Sequence, residues 1–443
     1  MKTTGFRSFV LYILLFAFVG GIGYFVVNLW ANGAKWTAQP YNGHIYANGS
    51  TLSAGTITDR TGMILAESRD GSRVYAEKES VRRALLHTVG DSSGYISTSV
   101  QAVHRTKLMG YNIFTGLNET IFSGIGNNIQ LSLDANACAA ALNAFEGRHG
   151  SAFLFNYETG ETLVKVSAPT YDPMHVPTDL LDNEVYDGVF LDHTLTSTYT
   201  PGSVFKLVTA AAAMDTFSDW ETRTYSCEQT YHIDDSTVTC LDWHGSLNLQ
   251  QAMGHSCNIY FAKLALDIGP EKLQKTAEHM GFGKHFHFDS VTTADSELNL
   301  SKISDIELAW SAVGQADVQA NPYHMALLMG AIANGGSVEE PYLIGHSPGT
   351  RYSFLSRGTA SNLHELMRNT VTNYYGNKLF AGYSVCAKTG TAEVFGQAPN
   401  CWIVGFCEDA DAPYAFAVCV ENGSSGLYTA GSVVSAMLQA LSA

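Results

Sequence analysis

The sequence predicts an α+β fold: a five-stranded antiparallel sheet sandwiched by helices, with a small N-terminal β-containing domain and one N-terminal transmembrane helix ahead of it. Three observations predict it. Strand patterns stand at both ends of the region after residue 150, helical patterns fill the space between them, and an uncharged apolar run lies near the start of the chain. Strands from both ends of a domain, with helices between, give a sheet layered by helices.

From Ser8 to Trp30 the chain reads SFVLYILLFAFVGGIGYFVVNLW, without a charged residue. That is long enough to cross a ~30 Å hydrocarbon core as a helix. Ala31-Asn32-Gly33-Ala34 loosely fits a cleavage site, but the apolar run exceeds the ~7 to 15 residues of a signal peptide, so an uncleaved anchor is expected. Lys2 and Arg7 precede the span, which places the N-terminus in the cytoplasm and the rest of the chain outside the membrane. Residues 31 to about 54 are polar and glycine-containing, as in a linker. Next, Gly55 to Ala66 alternates apolar residues on both sides of Asp59-Arg60-Thr61-Gly62, a β-hairpin pattern. Up to residue 149 there follow short mixed elements and no catalytic constellation. The expected organisation is therefore a tip and anchor over 1–30, a linker and small pedestal domain over 31–149, and a larger domain over 150–443.

The larger domain opens with Ser151 to Tyr157, a Glu158-Thr159-Gly160-Glu161 turn and Thr162 to Ser167, a second hairpin. Three more strands are predicted at Tyr383 to Lys388, Cys401 to Cys407 and Tyr414 to Val420. Between them, the Ala-rich run from Phe205 to Met214 and the stretch from Leu249 to Asp267 read as helices. A last helix, from about Gly431 to Leu441, is expected to cover one face.

Composition narrows the function. A chain of 443 residues, 46% hydrophobic and 15% charged, can build one large core plus a smaller module. Twenty-five basic against 41 acidic residues give a formal charge of −16, which opposes nucleic-acid binding. Eight cysteines outside the membrane could form disulfides in many pairings. One pair stands out: Tyr225 to Cys240 reads as a hairpin folded at Asp234-Asp235, which brings Cys227 and Cys240 together. A bridge is expected there, with two reduced thiols as the alternative. The alternating histidines of Lys284-His285-Phe286-His287-Phe288 read as a surface face. No metal and no cofactor are expected.

Three short motifs carry chemistry. Thr200-Pro201-Gly202 supplies a turn before an Ala-rich helix, so Ser203 is expected in the first helical turn, where unpaired N–H groups favour developing negative charge. Lys206, three residues on, shares its face. A serine hydroxyl needs a base, and a lysine serves as one only when burial or neighbouring positive charge lowers its pKa; Lys388 is the expected neighbour. Ser256-Cys257-Asn258 interrupts a helical pattern with small polar residues. Ser256 then suits a proton relay and Asn258 an amide contact to substrate. Lys388-Thr389-Gly390-Thr391 follows a strand; Gly390 marks close backbone approach, and the hydroxyls of Thr389 and Thr391 suit a carboxylate.

Taken together and in this order, these motifs resemble the transpeptidase domain of penicillin-binding proteins, a set of motifs shared with class A β-lactamases. The resemblance spans about residues 150 to 443 and is narrowest to the monofunctional class B kind, since little chain before residue 150 is left for a glycosyltransferase domain. Gly160-Glu161-Thr162, Ala168-Pro169-Thr170-Tyr171-Asp172-Pro173, Gly314-Gln315 and Ala333-Asn334-Gly335-Gly336 also look like that family. One departure is Asp192-His193, where the family commonly has Asn-Arg. The resemblance implies Ser203 as nucleophile, Lys206 as base, Ser256 and Lys388 as proton relay, and Asn258, Thr389, Gly390 and Thr391 as substrate contacts. It implies peptidoglycan stem peptides as substrate, β-lactams as covalent inhibitors and a polytopic membrane glycosyltransferase as partner. Asp295-Ser296-Glu297-Leu298-Asn299 loosely echoes the deacylating segment of class A β-lactamases. A β-lactamase, a D,D-carboxypeptidase and a membrane-anchored β-lactam sensor or idle scaffold are the alternatives.

Overall fold

In the computed structural model, residues 2–37, 46–47, 50–51, 54–70, 72–112, 116–117, 127–345, 349–380, 382–394 and 396–442 are described. A single helix, Lys2–Thr37, contains the predicted span; its 30-residue segment Thr4–Gly33 has the length and composition to cross a membrane, and none of its most apolar window is buried against protein. The helix runs past Trp30 into the expected linker because no proline interrupts residues 31–37.

The predicted hairpin after the linker forms. Ile57 pairs with Ala66 and Thr58 with Ile64, and Ser72–Tyr75 and Ile129–Gln130 complete a four-stranded sheet. Asp59 explains the turn. Its buried carboxylate accepts from Thr61 N at 2.8 Å, Thr61 Oγ1 at 2.7 Å and Met63 N at 2.9 Å, while its second oxygen takes Ala135 N at 3.3 Å. Ala135 opens the helix Ala135–Ala144, so one side chain ties the hairpin to the first orphan N–H of that helix.

Gly150 begins the central sheet, whose strands are Gly150–Asn156, Thr162–Ala168, Val385–Ala392, Asn400–Cys407 and Tyr414–Val420. All neighbours are antiparallel. From one edge, the order runs Thr162–Ala168, Gly150–Asn156, Tyr414–Val420, Asn400–Cys407, Val385–Ala392. These strands are buried on both faces, as continuous apolar runs require. Pro322–Ala333 packs on one face, where Phe153 meets Tyr323 edge-on at 5.2 Å between ring centres. Ala135–Ala144 and Gly431–Leu441, packed against each other, cover the strands as well.

Two sequence expectations are refined. The strand predicted to end at Lys388 continues to Ala392, because Lys388, Thr389, Gly390 and Thr391 each pair in turn with Val404, Ile403, Trp402 and Cys401. The helix predicted over Leu249 to Asp267 is two helices, Leu249–His255 and Asn258–Ile268.

The edge strand Thr162–Ala168 is where the N-terminal elements meet the sheet. Thr88 Oγ1 donates to Lys165 O at 3.5 Å, and Ser132 Oγ donates to Thr162 O at 2.8 Å. Arg82, on the short helix Glu79–Ala84, makes a two-pronged bond to Asp172 at 2.7 and 2.6 Å. This pairing, with His175 beside it, holds the Asp172 carboxyl far below its usual range. Replacing Arg82 with alanine strands the buried carboxylate. The variant should lose about 3 kcal/mol of stability, seen as a lower thermal midpoint of the detergent-solubilised chain, and an unchanged midpoint would mean that the pair joins nothing.

Candidate active site

Ser203 lies in the 3-10 turn Gly202–Phe205, which leads without a break into the helix Lys206–Thr216. The expected placement in a first helical turn therefore holds. What the sequence could not show is how tightly that turn is clamped. Gly202 has φ +55°, its N–H donates to Gly314 O at 2.8 Å, and a Cβ on Gly314 would lie 2.0 Å from Gly202 O. From the other side, the Trp402 indole donates to Thr200 O at 3.0 Å. A Cβ on Gly390 would come within 2.6 Å of Pro201 O, so only glycine lets this strand lie against the serine turn.

Lys206 and Lys388 are both fully buried. Lys206 Nζ lies 3.0 Å from Ser203 Oγ, 2.7 Å from Asn258 Oδ1, 2.7 Å from Ser256 O and 3.2 Å from Ser256 Oγ. Lys388 Nζ reaches the same Ser256 Oγ at 3.0 Å and Thr389 O at 2.9 Å. One hydroxyl thus stands between two amines. Burial drives Lys206 well below the usual lysine range and the charge of Lys388 adds to this; burial alone brings Lys388 down to about 7.

Ser256 is placed by a helix end. It caps Leu249–His255 in the left-handed conformation, φ +53°, and its N–H donates to Met253 O at 3.2 Å. Cys257 then opens the next helix, its sulfur accepting from Tyr260 N at 3.4 Å. The break between helices leaves Ser256 and Asn258 turned toward Lys206. Asn258 is engaged at both ends of its amide, since Nδ2 donates to Thr239 O at 3.0 Å.

On the sheet edge, Thr389 Oγ1 is 2.9 Å from Tyr375 OH, and Thr389 N donates to that oxygen at 3.1 Å. Thr391 Oγ1 accepts from Gly426 N at 3.2 Å. Its own hydroxyl hydrogen is then left to donate to a ligand. All eight residues singled out in the sequence belong to this one cluster or to the strand beside it. Sequence reading missed Tyr375, whose contacts with Thr389 come from a chain segment outside the motifs.

Three other expectations meet the structure here. Cys227 and Cys240 flank the predicted hairpin, in which Thr230–Ile233 pairs with Ser236–Thr239 across Asp234-Asp235, but neither is bridged. The expected disulfide is not formed. Asp192 is buried and ion-paired with Lys165 at 2.5 Å, and His193 is held by the hydroxyls of Ser197 at 3.0 Å and Tyr199 at 2.8 Å. Hence the Asp192-His193 departure is a built internal contact. Glu297 pairs through its backbone with Gln319, its side chain exposed.

Comparison with known proteins agrees with this geometry. Residues 150–442 match the family described as the penicillin binding protein transpeptidase domain. The chain is similar to peptidoglycan D,D-transpeptidase PbpA of Mycolicibacterium smegmatis, 29% identical with 90% of each chain covered. It is similar in structure to the D,D-transpeptidase domain of a peptidoglycan glycosyltransferase from Eggerthella lenta, with TM-score 0.75, 28% identity, and 88% of this chain and 98% of that one covered. The penicillin G acyl-enzyme complex of penicillin-binding protein A from M. tuberculosis superposes with TM-score 0.76 at 25% identity, covering 89% of this chain and 100% of that one. A serine facing a buried lysine, on a sheet and helix framework shared with these proteins, leads to one conclusion: the chain belongs to the penicillin-binding protein transpeptidase family, in its class B branch.

Proposed function

We infer that the chain is a peptidoglycan D,D-transpeptidase working through a serine acyl-enzyme. The observation that carries this is the 3.0 Å contact between Ser203 Oγ and the buried Lys206 amine, which burial and Lys388 hold toward its neutral form. A neutral amine has a lone pair to take the serine proton, which an exposed lysine at pH 7 lacks.

The steps follow from this arrangement. Ser203 Oγ attacks the penultimate carbonyl of a D-Ala-D-Ala stem peptide as its proton passes to Lys206. The developing oxyanion is received by the backbone N–H groups of Ser203 and Thr391, donors of a kind worth roughly 3 to 4 kcal/mol each. Ser256, bonded to both lysines, passes a proton to the departing D-alanine nitrogen. The carbonyl–nitrogen bond breaks and an ester to Ser203 remains. Thr389 and Thr391 hold the terminal carboxylate, Gly390 keeps the strand close enough to do so, and Asn258 holds Lys206 through Oδ1 while the second hydrogen of Nδ2, whose first goes to Thr239 O, donates to the peptide. An amine from a neighbouring stem then attacks the ester, forming the cross-link and restoring the serine. A β-lactam acylates Ser203 as a mimic of the same peptide.

With lipid-linked or nascent glycan as substrate, the catalytic region lies outside the cytoplasmic membrane. Lys2 and Arg7 before the apolar span support a cytoplasmic N-terminus. Residues 31–149 serve as linker and pedestal and 150–443 as the catalytic domain. A monofunctional enzyme needs its glycan strand made by another protein, which supports a polytopic membrane glycosyltransferase as partner.

Two measurements test this reading. Ser203→Ala should abolish covalent labelling by a fluorescent penicillin, whereas persistent labelling refutes the nucleophile; steady turnover of a chromogenic cephalosporin far beyond one equivalent would favour the β-lactamase alternative. The pH dependence follows from the lysines. Their folded pKa values are lowered, so the neutral base is present above the lowered value and lost as pH falls through it. The acylation rate should therefore reach its plateau well below the ordinary lysine value of 10.5, and Lys206→Arg, which stays charged, should slow it at least ~1000-fold. A rate still climbing toward pH 10.5 would mean that Lys206 titrates as an ordinary lysine.

A further inference from the structure

The unbridged Cys227 and Cys240 belong to a larger group. Their sulfurs, Cys257 Sγ and a ring nitrogen of His244 all lie within 4.8 Å of one another. His244 Nδ1 is 3.4 Å from Cys227 Sγ and 3.6 Å from Cys240 Sγ, and Cys240 Sγ is 3.9 Å from Cys257 Sγ. A disulfide needs sulfurs ~2.05 Å apart, so these are not bonds waiting to close without movement. A tetrahedral zinc ion, with bonds of about 2.3 Å to sulfur and 2.0 to 2.1 Å to nitrogen, sets sulfur–sulfur edges near ~3.8 Å and sulfur–nitrogen edges near ~3.5 Å. The three spacings given above, 3.4, 3.6 and 3.9 Å, match these edges, and the other three pairs lie within 4.8 Å. The three cysteines are buried and the histidine half-buried, leaving no open coordination position, as in structural rather than catalytic zinc sites.

We propose that Cys227, Cys240, His244 and Cys257 form a structural zinc site that fixes the Ser256-Cys257-Asn258 motif. The ligands come from three separate pieces of chain. Cys227 ends the strand Tyr225–Cys227, which pairs with Gly245–Leu247 just beyond His244; Cys240 follows the hairpin strand Ser236–Thr239; Cys257 opens the helix Asn258–Ile268. Cys257 stands between the relay Ser256 and the lysine-holding Asn258. Zinc would therefore tie two small exposed hairpins, too thin to hold themselves by burial, directly to the catalytic turn. Second contacts support the same geometry: Asn258 Nδ2 donates to Thr239 O at 3.0 Å, Tyr260 N donates to Cys257 Sγ at 3.4 Å, and the His244 ring packs on His255 with centres 4.8 Å apart. Soft thiolates with one imidazole select zinc over hard cations. This departs from the expectation that the chain uses no metal. The ligand pattern escaped the sequence reading because its members are spread between two hairpins and a helix start, without the paired short spacing of a zinc finger.

The test uses the full chain in detergent, purified under reducing conditions. Elemental analysis after dialysis should find about one zinc per chain, and the same in Ser203→Ala, so the metal result stands independently of the acylation chemistry inferred above. Cobalt bound in its place should give the strong visible bands of a tetrahedral thiolate centre. Cys227→Ser and His244→Ala should lose the metal, His244→Cys should retain it as a four-thiolate site, and Cys138→Ser, at a buried cysteine outside the group, should not change it. Stripping zinc with a chelator should slow penicillin acylation of Ser203 by about tenfold or more, with recovery on adding zinc alone. Metal-free reduced protein that acylates at full rate overturns the proposal. So does active enzyme in which mass spectrometry finds Cys240 bridged to Cys227 or Cys257.

Discussion

The interaction on which the site depends is the burial of two lysine side chains against one serine hydroxyl. An ammonium removed from water is costly unless it is paired, and among the described residues no carboxylate hydrogen-bonds to Lys206 or Lys388. The oxygens there are neutral: one amide, two carbonyls and two hydroxyls. Neutral oxygens orient an amine without stabilising its charge as a carboxylate would. The result is a nitrogen kept basic in position but poor in protons, which is what a serine nucleophile needs.

Holding that arrangement requires backbones closer than side chains allow. The serine turn is pressed between Gly314 on one side and the strand through Gly390 on the other, with Gly426 in turn against Gly390, where a Cβ would lie 2.5 Å from its carbonyl oxygen. Glycine conformational freedom and strand pairing thus set the distance between Ser203 and Thr391, the two proposed oxyanion donors. Trp402 closes the stack through its bond to Thr200 O. The hydrogen bonds of the motifs are consequences of this layering as much as of the motif residues.

Much of this was legible in the sequence, for definite physical reasons. Continuous apolar runs such as Tyr414 to Val420 announce a strand buried on both faces, and the small polar residues at Ser256 mark an interruption of the helical pattern, although the stretch from Leu249 to Asp267 still reads as one helix where the structure has two. Lys388 could be linked to Lys206 because an S-x-x-K serine needs a charge to depress its lysine. Tyr375 could not be found this way, since its role arises only where residues 371–375 pass the edge strand. Cys227 and Cys240 were correctly judged close but wrongly paired: a hairpin register locates two thiols, and it carries no information about a histidine and a third thiol arriving from beyond it.

The strand order of the central sheet has a mechanical meaning. N-terminal elements grip the Thr162–Ala168 edge, through Ser132, Thr88 and the Arg82 to Asp172 clamp, while the Lys388 strand forms the opposite edge. Four inter-strand gaps of ~4.8 Å separate the two, about 19 Å of hydrogen-bonded sheet. A packed sheet resists shear within its plane far better than a loop would. A force applied to the N-terminal elements would therefore reach Ser203 as a small tilt of a stiff plate, with the lysine and threonine edge moving as one piece.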